Sequence, residues 1–340
     1  MLNREERMSV ESQKNEKRKR QFVVYLEDDG LHKCILSAAK SADAIVFRPF
    51  KNAFAKILFR LHNTWRMNKR WELPLKFLWY RRCLDERKLD KNAEIVFVFY
   101  ECFYMTYSRK YLKHLKKKFS NSKFCYVFLN AVNQEKIQKY NAVKEYFDAG
   151  VAIFRRDAER YGLLLHEYYC YLPPKVSINS EFDSDVFFVG ANKGRLPRLL
   201  EVYEKLTAAG IKCDFHITEV DPQDMRYSEN IVYNKRMTYE EALQRMNSTK
   251  CALEIIQDND FYFSIRTIEA LNFKKKLLTT NKSITDYGFY NPAIIQVFDS
   301  VDDINPEFIR SIVSEEKFPN PQPWSFESFE EYLERNLFQK

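Results

Sequence analysis

The sequence predicts an α/β fold in two domains, each built on a parallel sheet wound with helices. Short β-branched or aromatic runs alternate with stretches of helical periodicity along most of the chain, the pattern of βαβ units. Several of the runs are apolar without alternation, as strands buried on both faces are. The 340 residues exceed one domain of about 150 residues, and a polar, proline-led segment, PPKVSINSEFDSD, divides them.

Residues 1–20 are charged and carry no apolar period, so they are expected to form a disordered tail rather than a signal peptide. In a first domain over 21–172, strands are predicted at QFVVYL (21–26), AIVF (44–47), EIVFVFY (94–100), KFCYVFL (123–129) and VAIF (151–154). RKYLKHLKKKF and NAVKEYF read as helices between them. After a linker over 173–184, the second domain (185–310) runs as strand DVFFVG, helix LPRLLEVYEKLTAAG, strand KCDFHIT, helix TYEEALQRMNST, strand CALEII, helix SIRTIEALNF and strands KKLLTT and AIIQVF. Gly210 stands where a helix C-cap belongs. The segment 311–340 ends in WSFESFEEYLERNLF, whose serines cap a helix and whose apolar positions dock it.

Composition narrows the function. Hydrophobic residues at 45% and charged residues at 30% are ordinary for a globular chain. Only 7 glycines are present, with no G-x-G-x-x-G and no Walker A pattern, which excludes the glycine-rich phosphate loops. The 7 cysteines are scattered, without metal or disulfide spacing, as suits a reducing cytoplasm. No run reaches the roughly 18 apolar residues of a membrane helix, and the 5 histidines have no ligand spacing and read as structural.

The whole chain carries a formal +8, and so do residues 51–84 alone, with nine Lys/Arg and the single acid Glu72. Trp65, Trp71, Phe77 and Trp79 lie among those cations. Arg66, Lys69, Arg70 and Trp71 are expected to face an anionic membrane surface, since cations and interfacial aromatics together hold a soluble protein to a bilayer. The plainer expectation is that Phe54, Ile57, Leu58 and Leu61, spaced i, i+3, i+4, i+7, bury one helix face while the cations are solvated. Nucleic acid is the third partner such a segment suits.

Two clusters in the second domain carry chemistry. After the strand ending at Gly190 come Lys193, Gly194 and Arg195, then a helix starting near Pro197; cations, close-approaching glycine backbone and a helix N-terminus suit a phosphate, or else the turn is merely solvated. After CALEII, Ser264 caps a helix bearing Arg266 and Glu269. Arg266 suits a diphosphate and Glu269 ribose hydroxyls, or else the two form an i, i+3 salt bridge.

DVFFVGANKGR, CALEII, SIRTIEALNFKKKLLTTNKSI and DYGFYNPAII, with FDAGVAIFRRDAERYGLLLHEYY at 147–169, strongly resemble bacterial glycosyltransferases of capsule, lipopolysaccharide and exopolysaccharide biosynthesis. The resemblance covers most of residues 120–300 and is specific only in its C-terminal block. It implies the GT-B class: two Rossmann-like domains facing across a cleft, a C-terminal helix, and a nucleotide-sugar donor held by Gly190, Lys193, Arg195, Ser264, Arg266 and Glu269. It implies a lipid-linked oligosaccharide or other glycan as acceptor, no cofactor and no metal, and a place on the cytoplasmic face of the cell membrane. The family has a small, glycine-containing stretch before S/T-x-R-x-x-E. Here Asp260, Phe261, Tyr262 and Phe263 stand in its place, either stacking on base or sugar or obstructing the donor.

An inverting reaction needs a base, and Glu27, Asp28, Asp29 and Glu101 follow first-domain strands at the appropriate edge. Asp183-x-Asp185 and Asp258-x-Asp260 imitate a metal-binding D-x-D, but the first precedes a strand and the second lies in an acid-rich loop, so no metal site is expected. Two rivals differ in class: a GT-B scaffold that binds without turnover, and a nucleic-acid binder acting through residues 51–84.

Overall fold

The computed structural model describes residues 20–26, 50, 52–90, 92–167, 172–256 and 263–338, which divide into two compact α/β units. The first unit holds the described residues up to 167 together with 330–338, and the second holds 172–329. AIVF, Asp28 and Asp29 lie outside the described residues, as do Asp258, Asp260, Phe261 and Tyr262.

The first unit runs β1 (Arg20–Tyr25), α1 (Ala53–Asn63), α2 (Trp65–Asn68), α3 (Phe77–Cys83), β2 (Glu94–Tyr100), α4 (Arg109–Lys118), β3 (Lys123–Val127), α5 (Gln134–Asn141), β4 (Ala149–Ala152), α6 (Arg155–Tyr161) and β5 (Leu164–Leu165). The five strands pair in parallel in the order β1-β2-β3-β4-β5. Continuous burial of β1 and β2 explains their unbroken apolar runs. On one face Tyr25 stacks on Phe99 at 4.4 Å between ring centres and shares a 2.7 Å hydrogen bond with the Tyr111 hydroxyl of α4. Burial strands both phenols from water and raises their pKa well above the usual value.

Two expectations need correcting here. NAVKEYF is not a helix: the helix is α5, begun where the Asn133 side chain accepts the Lys136 amide, and Lys144–Tyr146 forms only a short 3₁₀ turn. Nor does α1 bury the stripe its spacing marks. Phe54 is 75% exposed, and Ile57, Leu58 and Leu61 are all exposed, while Phe59 alone enters the core.

Gly150 in β4 marks a close approach. A Cβ there would stand 2.6 Å from the Tyr140 hydroxyl and 2.8 Å from Leu163 Cδ2. Gly150→Ala is therefore expected to destabilise the first unit by about 1–3 kcal/mol through overpacking, measured by urea denaturation, and Tyr140→Phe in the same chain should recover part of that loss.

The second unit runs β6 (Ser184–Ala191), α7 (Leu196–Ala208), β7 (Cys213–Thr218), β8 (Val232–Tyr233), α8 (Tyr239–Ser248), β9 (Thr249–Glu254), α9 (Ile265–Asn272), β10 (Lys276–Thr279), β11 (Ile295–Val297), α10 (Pro306–Arg310) and α11 (Phe326–Phe338). Its six parallel strands order as β8-β7-β6-β9-β10-β11, so the winding reverses between β6 and β9. This is the Rossmann order, in which the reversal opens a crevice at the carboxyl ends of the two central strands. Gly210, at φ +73°, ends α7, with the Ile211 amide donating back to the Leu206 carbonyl. The segment ahead of β6 is fastened to this unit: Asn247 donates to the Val176 carbonyl and the Asn179 amide to Ser248 Oγ.

The last helix belongs to both units in sequence. α11 begins in the second, but from residue 330 it is part of the first. There Glu334 lies 3.2 Å from the Arg20 guanidinium, Phe338 lies under the same guanidinium at 4.2 Å, and Tyr332 meets His166 edge-on.

Candidate functional site

The reversal point between β6 and β9 is where both predicted clusters fall. β6 passes into α7 through Asn192, Lys193, Gly194 and Arg195, a tight turn closed by a 2.8 Å hydrogen bond from the Arg195 amide to the Asn192 carbonyl. Lys193 (φ +45°) and Gly194 (φ +79°) both take left-handed backbone, the geometry of a type I′ turn. Asn192 Oδ1 accepts the first amide of α7, from Leu196, at 2.9 Å. Lys193 is exposed at the crest of this turn.

Arg195 does something other than await a phosphate. Its guanidinium donates to the carbonyls of Asn192 (3.4 Å), Ala191 (2.6 Å) and Ile255 (2.5 Å). It also lies 5.6 Å over the Phe188 ring. It thus ties the end of β6 to the chain leaving β9, across the reversal point. Three of its five N–H donors go to strand-end carbonyls, which fixes its side chain in place. Gly190 makes room for it, since a Cβ there would stand 3.2 Å from Arg195 Nη2 and 3.3 Å from the Phe188 ring.

The second cluster is organised by a residue that sequence reasoning passed over. Glu254 closes β9 and is buried, accepting from the Ser264 hydroxyl (2.5 Å) and amide (3.3 Å), the Thr267 hydroxyl (2.9 Å) and the Thr279 hydroxyl (2.6 Å). A lone acid in the apolar run CALEII was the signal, because a carboxylate in a buried strand must be supplied with donors. Ser264 thereby faces two ways, capping α9 through the Arg266 amide at 3.1 Å and donating to Glu254. Phe263 is core: it is buried and meets Tyr287 and Phe289 edge-on at 4.8 and 5.2 Å. The expectation that it contacts or blocks a donor is corrected accordingly.

Arg266 and Glu269 form the i, i+3 pair, at 2.5 Å. Glu269 is completely buried, its other oxygen accepting from the Tyr239 hydroxyl of α8. Both carboxylate oxygens are used and none is reachable, so the ribose-binding expectation for Glu269 does not hold; it positions Arg266 instead. Burial raises the Glu269 pKa, against the opposing pull of Arg266 and the Tyr239 hydrogen bond. Among the described residues, Glu269 is the only hydrogen-bond partner of the Arg266 guanidinium, whose side chain is 18% exposed. The ring beneath Arg266 is Phe187, at 5.9 Å, whereas Arg195 packs on Phe188. Consecutive strand residues face opposite sides of a sheet. The single three-cation cradle is therefore corrected to two groups, Lys193 and Arg266, with Arg195 withdrawn into the strand ends.

His216 is structural, as expected, with Nε2 2.8 Å from Asp214, which also meets Arg245 at 2.9 Å. Burial alone would raise the Asp214 carboxyl, but those two partners outweigh it and hold it below the usual range. Asp185 is likewise occupied, by Lys250 and the Lys212 amide. In the first unit Glu101 is engaged through one carboxylate oxygen. That oxygen accepts from the amides of Leu129 (3.1 Å) and Asn130 (3.2 Å) and from Lys136 (3.0 Å), so it braces the loop after β3. Arg66, Lys69, Arg70 and Trp71 are exposed as expected.

No family model matches the chain and no curated protein matches it. Among solved structures the chain is similar to TarM, at 13% identity and TM-score 0.46, covering 72% of this chain and 55% of that one. It thus spans about half the length of the TarM chain. It is also similar to the spinosyn rhamnosyltransferase SpnG, at 10% identity and TM-score 0.37 over 77% of this chain and 80% of that one. A third similar structure is the heptosyltransferase WaaC of E. coli, at 12% identity and TM-score 0.34 over 93% and 99%.

Proposed function

We propose that the protein is a glycosyltransferase of the GT-B class, moving a sugar from a nucleotide-sugar donor to a hydroxyl of a lipid-linked glycan in bacterial surface-polysaccharide biosynthesis, at the cytoplasmic face of the cell membrane. One observation carries the reading: in a sheet of Rossmann order, the turn leaving β6 presents Lys193 and the first turn of α9, the helix that follows β9, carries the partly exposed Arg266. Ligands of such sheets bind at that place, and a diphosphate is the anion that cations and turn amides there suit. The motif resemblance of the same block supplies the sugar.

In this scheme the bond between the anomeric carbon and the diphosphate breaks as the acceptor oxygen attacks. Lys193 and Arg266 offset the charge gathering on the departing diphosphate, so no metal is proposed. Arg195 holds the two strand ends at their spacing, Glu254 fixes Ser264 and the start of α9, and Glu269 fixes Arg266. Asp28, Asp29 and Glu101 are the acids proposed to deprotonate the acceptor in an inverting reaction.

A thermal-shift screen against UDP, GDP, CDP and CMP and their sugars tests the reading, because a ligand selective for the folded state raises the midpoint. At least one should shift it. Lys193→Ala should leave the free protein's midpoint unchanged and weaken the bound nucleotide about tenfold or more. No shift with any nucleotide would overturn the donor site, and binding without transfer in a donor and acceptor panel would leave a scaffold.

A further inference from the structure

The block formed by α1, α2 and α3 packs Phe59, Trp79 and Cys83 into the apolar core but also buries a polar cluster. Lys76, only 2% exposed, donates to the His62 carbonyl and to Asn63 Oδ1, both at 2.8 Å. Buried Asn68 donates to the His62 and Thr64 carbonyls and accepts the Leu73 amide. Trp79 Nε1 donates to His62 Nδ1 at 2.7 Å. The block's exterior mixes exposed cations with large apolar side chains. Of the twelve large apolar side chains exposed among the described residues, nine lie between 54 and 78, and Trp71 reaches 84% exposure. Exposed apolar groups at this density mark a contact surface.

We propose that this block is an anionic-bilayer contact, in which Phe54, Ile57, Leu58, Leu61, Trp71 and Phe77 enter the headgroup and upper acyl region while Arg66, Lys69 and Arg70 meet lipid phosphates. It deepens the proposed function, resting on it only for the presence of a lipid-linked acceptor. Three observations select the occupant. Apart from the buried Lys76, the described part of this segment carries seven cations (Lys56, Arg60, Arg66, Lys69, Arg70, Arg81 and Arg82) against one acid, and that acid, Glu72, is held by the Ser108 hydroxyl and the Lys110 amide. Two copies meeting through such surfaces would set like charges against each other. The exposed stripe of α1 is largely aliphatic, which gains nothing from stacked bases but much from acyl chains. Finally, no helix among the described residues is long and apolar enough to cross a membrane, and the contact proposed is one with the bilayer surface. The interior hydrogen bonds give the block a fixed form, so the apolar side chains are displayed without ordering a new helix on binding.

The test is sedimentation of the full chain with vesicles of phosphatidylglycerol and phosphatidylcholine, or of phosphatidylcholine alone, at physiological salt. The chain should sediment with the anionic vesicles only. Arg66→Glu, Lys69→Glu and Arg70→Glu together should lower that partitioning by about a hundredfold or more. Brominated acyl chains should quench tryptophan fluorescence in the wild type, with most of that quenching lost in Trp71→Phe, a variant that keeps the fold. Absence of sedimentation, partitioning unmoved by the three reversals, or quenching unchanged in Trp71→Phe would each overturn the proposal. So would a dimer in ultracentrifugation that Trp71→Ala dissociates, or retention on RNA lost in the same reversals without any vesicle binding. Calorimetric nucleotide binding on the same preparations separates the two readings, since failure on vesicles with nucleotide bound removes only the surface.

Discussion

Arg266→Ala is expected to weaken nucleoside-diphosphate binding and to destabilise the second unit at once. The binding loss should be about 1.5–3 kcal/mol, the range for a charge-assisted hydrogen bond. The stability loss should be larger, about 3–5 kcal/mol, because Glu269 would be left fully buried without its cation. That corresponds to a fall of roughly 10 °C in the midpoint of a domain this size. The sign of the pH dependence follows from the raised Glu269 pKa. An acid whose folded value lies above its unfolded one contributes stability that is present below the unfolded value and lost as pH rises through the folded value. Removing Arg266 raises the folded value further, so the deficit should grow from mildly acidic to alkaline pH. A double variant, Arg266→Met with Glu269→Leu, should regain most of the stability while still failing to bind nucleotide. Denaturation curves at several pH values and calorimetry on both variants check this, and full nucleotide affinity in the double variant would misplace the site.

Glu254→Ala is expected to cost about 3–5 kcal/mol, since it strands the buried Thr267 and Thr279 hydroxyls and frees the partly buried Ser264 hydroxyl. Glu254→Gln, which keeps one acceptor oxygen and turns an amide toward the other hydroxyl, should cost distinctly less. Urea denaturation ranks the pair. A loss under about 1 kcal/mol for the alanine variant would mean that these hydroxyls find other acceptors.

The runs that became central strands were legible because burial on both faces writes itself as uninterrupted apolarity, as in EIVFVFY and KFCYVFL. The two-residue edge strands at Leu164–Leu165 and Val232–Tyr233 are too short for any period to show. Helix α5 was hidden because only Ile137 and Tyr140 are buried along it, whereas NAVKEYF carries a denser apolar pattern that folds as a turn. Periodicity also reports that α1 has an apolar stripe without saying what lies opposite, and the structure leaves the stripe open.

At the site, the Lys193 turn, the Ser264 cap and the Arg266–Glu269 spacing were local and therefore readable. The attachment of Arg195 to the Ile255 carbonyl spans sixty residues and follows from strand order, on which local pattern is silent. The same limit applies to the choice between a ribose contact and a salt bridge for Glu269, which rests on burial.

Because residues 330–338 complete the unit that begins with β1, that unit is the first to be synthesised and the last to be finished. At about 5–20 residues per second, its opening strand waits for the order of half a minute before Glu334 and Phe338 leave the ribosome. The intervening unit, whose described residues all lie between 172 and 329, is free to fold within that delay. A stop codon just after residue 329 would thus spare the later-made unit and leave the earlier one with Arg20 and His166 uncovered.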